Sequence, residues 1–369
     1  MVSLFWLLTD KHIKNSFPTM RKTLYKLTLS VLIATVFCAC DDDTYYGNWR
    51  SVSTLNAKGR ANAASFVIDS KAYVVGGYGF YYVPTYFNAT WEFDTEDYSW
   101  RERDSLPGLP RRAGSAFSIN GKGYYCGGIG ADGEYYSDLF EFDPEKEPGS
   151  QWTKLVADSF PDGGFYDGIG FAINGKGYVG SGITLFHGTS GSYFCFDPSK
   201  PEGSRWSKVE SASGAAERRG ASVFVIDDCA YIIGGRSNDY RVASFERYNA
   251  STDEFSVISN NMVADYNIDL LYRYNASAFS IGNDGYLTCG VKFTGEVLRD
   301  TWRYTPDGGI GHWQLIGDFE GPNRYSATCF VAGRNAFLLC GQNGNFSTSY
   351  KDDVWLFCPD EKYHRQPTK

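Results

Sequence analysis

Six segments of this chain repeat one another at a nearly constant interval, and no other property of the sequence restricts its fold as tightly. Ala72-Tyr73-Val74-Val75-Gly76-Gly77 returns as Gly123-Tyr124-Tyr125-Cys126-Gly127-Gly128, then as the segments ending at Gly182, Gly235, Gly290 and Gly341. The final glycines are 51, 54, 53, 55 and 51 residues apart. A regular period near 50 is the mark of a repeat architecture, in which each copy is one supersecondary unit that stacks on its neighbours.

Every copy has the same grammar. An apolar run (Ala64 to Ile68, Ser115 to Ile119, Gly170 to Ile173, Ala221 to Ile226, Ser277 to Ile281, Thr328 to Ala332) leads into a tight turn, and Asn120-Gly121 and Asn174-Gly175 are type I′ hairpin signals. The glycine-ended strand comes next, followed by a variable loop and a third strand such as Thr90-Trp91-Glu92-Phe93-Asp94. A fourth strand is marked by Trp100, Trp152, Trp206, Phe255 or Trp313. Four antiparallel strands per copy are what a propeller blade requires.

Gly-Gly, an aromatic in the third strand and a Trp in the fourth resemble kelch repeats. Ser181, Cys289 and Cys340 replace the first glycine in three copies, a departure that keeps a small residue there. The resemblance implies an all-β fold, a six-bladed kelch-type β-propeller over residues 48–363. The sixth copy has no fourth strand after Phe357, whereas Asn48-Trp49-Arg50 reads like Gln151-Trp152-Thr153. The N-terminal strand is therefore expected to complete the last blade and leave no open edge.

Ahead of that strand, Arg21, Lys22 and Lys26 precede an apolar stretch, Leu27 to Ala39, that stops at Cys40. It is too short to span a bilayer and has the layout of a secretory signal. Residues 1–39 read as a signal peptide with its start at Met20, and 40–47 as a linker. Phe37-Cys38-Ala39-Cys40 resembles a bacterial lipobox, which implies lipidation at Cys40; an ordinary cleaved signal is the alternative. Asp41, Asp42 and Asp43 resemble the acidic tract that sends Bacteroidetes lipoproteins to the cell surface, or else form a solvated linker. The expectation is a monomer on the bacterial outer membrane, held only through a lipid anchor. Residues 364–369 form a tail.

The whole chain has 35 basic against 43 acidic residues, and removing residues 1–39 leaves 30 against 42, a net charge of −12. Such a surface repels phosphate backbones, so no nucleic-acid partner is expected. Seven cysteines follow Cys40 without CxxC spacing and read as buried hydrophobes, with no metal pattern.

Strand order places the second-to-third-strand loops and the interblade loops on one face. They are long and varied, as binding loops tend to be. The first of them carries Tyr78, Phe80, Tyr81, Tyr82, Tyr86 and Phe87. Stacking on a glycan or anchoring a protein ligand accounts for these rings, and so does packing among themselves. Arg60, Arg112, Arg219, Arg273 and Arg324 open the first strand in five copies, with Asp167 near that place in the third. In kelch domains that act as substrate adaptors, arginines here and just after Gly-Gly bind acidic peptides, and Arg236 follows Gly235 in the same way. Pairing with carboxylates or carbonyls inside the scaffold is the other reading.

Catalytic signals are thin. His187, His312 and His364 lie in unrelated contexts, which disfavours the copper site of the kelch-like galactose oxidases, and no cofactor is expected. No Gly-x-Ser-x-Gly elbow, Walker loop or HExxH is present. The sequence is read as a glycan- or protein-binding module, with a sialic-acid mutarotase or epimerase as the enzymatic alternative, because bacterial mutarotases of that kind are kelch propellers.

Overall fold

A computed structural model describes residues 46–238, 240, 242–259, 273–344 and 347–362. The expected signal peptide, Cys40, the acidic run and the tail lie outside the described residues. The all-β expectation holds: apart from three short 3-10 turns, the named elements are strands. No described helix is long and apolar enough to cross a membrane.

Among the described residues, six four-stranded antiparallel sheets carry the structure. Sheet 1 runs Ala64–Ile68, Lys71–Val75, Thr90–Asp94, Trp100–Arg103 from its inner to its outer edge. Sheets 2 to 5 repeat this pattern, with inner strands Ser115–Ile119, Ile169–Ile173, Ser222–Ile226 and Ser277–Ile281. In sheet 6, Thr328–Ala332, Asn335–Leu339 and Asp353–Lys362 are followed by Tyr46–Thr54, which pairs antiparallel to Asp353–Lys362. That strand begins two residues earlier than the sequence boundary at 48.

Alternation in the inner strands explains the packing. The centre of each carries Phe66, Phe117, Phe171, Phe224, Phe279 or Phe330, whose ring stacks 5.1–5.3 Å from an aromatic on the next strand, as Phe66 does on Tyr73. The same rings press on the adjacent sheet. A Cβ at Gly123 would lie 2.0 Å from Phe66, so glycine is needed there to let two sheets approach. Both Asn-Gly turns have positive φ at both residues, as type I′ geometry demands. All seven described cysteines are unpaired, with Cys126, Cys289 and Cys340 fully buried.

Each inner strand packs against the inner strands of two other sheets, and Ala64–Ile68 lies between Ser115–Ile119 and Thr328–Ala332. Just ahead of these strands, six backbone amides bond in sequence. Ala113 donates to Asn62, Asp167 to Ala113, Gly220 to Asp167, Asn275 to Gly220, Ser326 to Asn275 and Asn62 to Ser326, at 2.8–3.0 Å. The sixth bond returns to the first residue. All six have φ between 51° and 58°, a left-handed conformation that favours Asn, Asp and Gly, which fill four of the positions. They line a cavity of about 150 Å³.

Candidate functional site at the mouth of the ring

Two residues before each member of this ring sits a side chain directed into the scaffold. Arg60, Arg111, Arg218, Arg273 and Arg324 hold five of these positions and Phe165 the sixth; every one is buried. Each arginine donates from Nη1 to the carbonyl of the first residue of its own glycine pair: Gly76, Gly127, Gly234, Cys289 or Cys340, at 2.9–3.5 Å. Four also meet a carboxylate, on Asp138, Glu246, Asp300 and Asp353. Arg60 stacks over Phe87 at 4.2 Å instead, and burial pulls its guanidinium below the ordinary arginine value.

This arrangement corrects two expectations. Arg60, Arg273 and Arg324 are not at the surface to meet a ligand; they tie the strand to the glycine pair. Arg112 and Arg219 are not their equivalents, because Arg111 and Arg218 are. Two consecutive arginines leave the repeat alignment ambiguous by one residue, and alternation along extended backbone sends the two to opposite sides.

The residue between the buried position and the ring faces the mouth, paired with the residue after Gly-Gly. The pairs are Ala61 with Tyr78, Arg112 with Ile129, Tyr166 with Ile183, Arg219 with Arg236, Tyr274 with Val291, and Tyr325 with Gln342. Arg112, Arg219, Arg236 and Asp167 thus come together, as sequence placed them on one face, and Tyr166, Tyr274, Tyr325 and Gln342 join them.

Charge is unevenly spread around this mouth. Arg219 Nη1 lies 3.5 Å from Asp167 Oδ2. Burial raises the Asp167 carboxyl above the usual carboxylate range even though Arg112, Arg219 and Arg236 all pull it down. Among the described residues the Nε atoms of Arg112 and Arg219 are buried without a hydrogen-bond partner. Arg236 rests over the Tyr274 ring at 4.8 Å, and Arg112 stands 5.6 Å from that of Tyr78. Away from the arginines the lining is phenolic. Burial and a hydrogen bond to Tyr135 push Tyr166 up to about 12, while burial raises Tyr325, opposed by a hydrogen bond from Gln342.

The first loop folds as a hairpin, Tyr78–Tyr81 against Val83–Tyr86. Tyr78 packs edge-on to Tyr86 and Tyr350, and Tyr81 donates to the carbonyl of Gly59, so both rings order the loop. Tyr82 differs: it sits at the tip with φ 68° and is 95% exposed. Among the described residues no group of three His, Cys, Asp or Glu side chains could hold a metal ion.

The mouth tyrosines and Gln342 escaped sequence reasoning because each stands alone in its segment. The signal that finds them is positional: one residue after the buried strand-opening side chain, Arg in five copies and Phe165 in the third, or directly after the glycine pair.

A family model described as "Kelch motif" matches residues 59–107 and 217–262. N-acetylneuraminate epimerase of Shigella flexneri serotype 5b (strain 8401) is 31% identical over 108 residues, 27% of this chain and 28% of the relative. The Escherichia coli O157:H7 protein of that name is 30% identical over 103 residues, 26% of this chain and 27% of the relative. The matches thus span under a third of these relatives' length. The solved structure of YjhT superposes with a TM-score of 0.63 at 17% identity, over 83% of this chain and 96% of that one, a likeness of fold. Its two motif matches, its antiparallel sheets and that shared architecture show kelch motifs carried on a β-propeller fold.

Proposed function

We propose that the six sheets are six blades closed by the N-terminal strand, and that their mouth binds a carboxylated sugar of the N-acetylneuraminate class and exchanges its anomers. One observation carries the functional reading: Arg112, Arg219 and Arg236 gather around the single carboxyl of Asp167, which leaves guanidinium charge for an incoming carboxylate. The partial matches to N-acetylneuraminate epimerases agree with it.

The chemistry follows from the sugar. In a 2-keto acid sugar the carboxylate is bonded to the anomeric carbon, so a carboxylate held by the arginines brings the anomeric hydroxyl beside Asp167. A carboxylate of raised proton affinity is a better base for that hydroxyl proton, and ring opening needs only modest acid–base help. The ring-opened ketone turns and recloses on its other face. Binding without exchange is the second reading, favoured by the exposed Tyr82 at the rim. We further propose that a lipid on Cys40 anchors the protein to the outer membrane, where this sugar would reach it.

Anomer exchange of N-acetylneuraminate followed by NMR, with and without protein, tests the enzyme. Acceleration supports it. Saturation transfer to the sugar without acceleration leaves a binder, and neither signal removes the acidic-sugar reading.

A further inference from the structure

Ring opening needs a second proton carrier, since the ring oxygen must gain a proton as the anomeric hydroxyl loses one. Building on the mutarotase reading, we propose that Tyr325 donates that proton and that Gln342 positions it. Counting along the ring of backbone bonds, Ser326 is three steps from Asp167 in either direction, so its neighbour Tyr325 stands at the opposite side of the ring from Asp167.

The other phenols at the mouth have aromatic or cationic neighbours. Tyr166 hydrogen-bonds Tyr135, Tyr350 hydrogen-bonds Tyr78, and the Tyr274 ring lies under the Arg236 guanidinium. Tyr325 is held differently. Its backbone exchanges two hydrogen bonds with Gln342, at 2.9 and 3.0 Å, which makes their side chains cross-strand neighbours. The Gln342 amide gives its hydrogen to the phenol oxygen, so this contact does not use the phenol's own O–H. A donor on that oxygen also favours the phenolate left behind once the proton has gone.

The step balances. The bond between the anomeric carbon and the ring oxygen breaks as Tyr325 protonates that oxygen, Asp167 takes the anomeric hydroxyl proton, and a ketone forms. On reclosure the sugar hydroxyl that attacks the ketone gives its proton back to the Tyr325 phenolate and Asp167 gives its proton to the new anomeric oxygen, so both groups end as they began.

The test uses the full-length protein, N-acetylneuraminate and NMR exchange rates. Tyr325→Phe keeps the ring and removes only the hydroxyl; it should slow exchange about 100-fold while the sugar's Kd stays within about twofold. Gln342→Leu should move the alkaline limb of the pH–rate profile to higher pH, because the phenolate loses its donor, and Gln342→Asn should restore part of that shift. Wild-type exchange with an equally fast Tyr325→Phe variant overturns this assignment alone. A wild type that accelerates nothing overturns the mutarotase reading instead.

Discussion

The indole Nε1 of Trp49 donates to the hydroxyl of Thr301 at 3.2 Å, across 252 residues of chain. Trp152 makes the same bond to Thr90, also at 3.2 Å. Trp152 belongs to the outer strand of sheet 2 and Thr90 to the third strand of sheet 1, so Trp49 performs for sheets 6 and 5 what Trp152 performs for sheets 2 and 1. Trp49 is 1% exposed and meets Phe279 and Phe319 edge-on. Trp49→Ala should cost about 3–5 kcal/mol in urea denaturation, as truncation of a buried Trp does elsewhere. Deletion of residues 48–53 should lower the melting of the whole molecule in one transition. A truncated chain that melts like the intact one would refute the proposed closure.

The buried arginines predict an asymmetry. Arg324 grips Asp353 with two parallel bonds, of 2.6 and 2.8 Å, whereas Arg60 has aromatic and carbonyl partners and, among the described residues, no paired carboxylate. Arg324→Met strands a largely buried carboxylate besides the carbonyls of Pro322 and Cys340, whereas Arg60→Met strands only carbonyls, those of Lys58 and Gly76. The first change should therefore cost about 1–2 kcal/mol more than the second. Chemical denaturation of the two variants measures the difference, and equal losses would show that the carboxylates contribute nothing.

Acid stability should follow two of these pairs. Burial pushes Asp300 and Asp353 upward, but Arg273 and Arg324, aided by the indoles of Trp302 and Trp355, outweigh it, and both carboxyls fall below the usual value. Their contribution is present above the unfolded carboxylate value and is lost as pH falls through the folded one. Asp167 is opposite in sign. Its raised value means a contribution present at low pH and lost as pH rises through the folded value. Thermal melts against pH should show Asp300→Asn and Asp353→Asn weakening the protein at neutral pH and flattening the acid limb. Asp167→Asn should melt higher than the parent at pH 7. A lower melting temperature there would mean that the pair with Arg219 outweighs burial.

Local order was legible where a repeat imposes it. The six strand pairs, the Asn-Gly turns and the match of Trp49 to Trp152 all follow from period and alternation, which act within a few residues. The mouth was only partly legible. Asp167, Arg219 and Arg236 could be placed on one face, but Arg111-Arg112 and Arg218-Arg219 each offer two arginines for one position, and burial rather than spacing selects between them. Tyr166, Tyr274 and Tyr325 stand 108 and 51 residues apart and meet only because six amides bond in a circle. No local signal encodes such convergence.

The mouth and the rim should separate under substitution. Arg219 lies beside Asp167 at 19% side-chain exposure, shielded from salt, while Tyr82 extends into solvent. A charged hydrogen bond in such a site is worth about 1.5–3 kcal/mol, so Arg219→Ala should weaken binding of N-acetylneuraminate about 10- to 100-fold by calorimetry. Arg236→Ala should act in the same direction. The methyl ester of the sugar, which lacks the carboxylate, should bind wild type and Arg219→Ala alike, because the arginine then has no charge to meet. Tyr82→Ala should leave affinity for the free monosaccharide within about twofold, since a small ligand at the mouth does not reach the hairpin tip. A loss at Tyr82 with none at Arg219 would move recognition from the mouth to the rim.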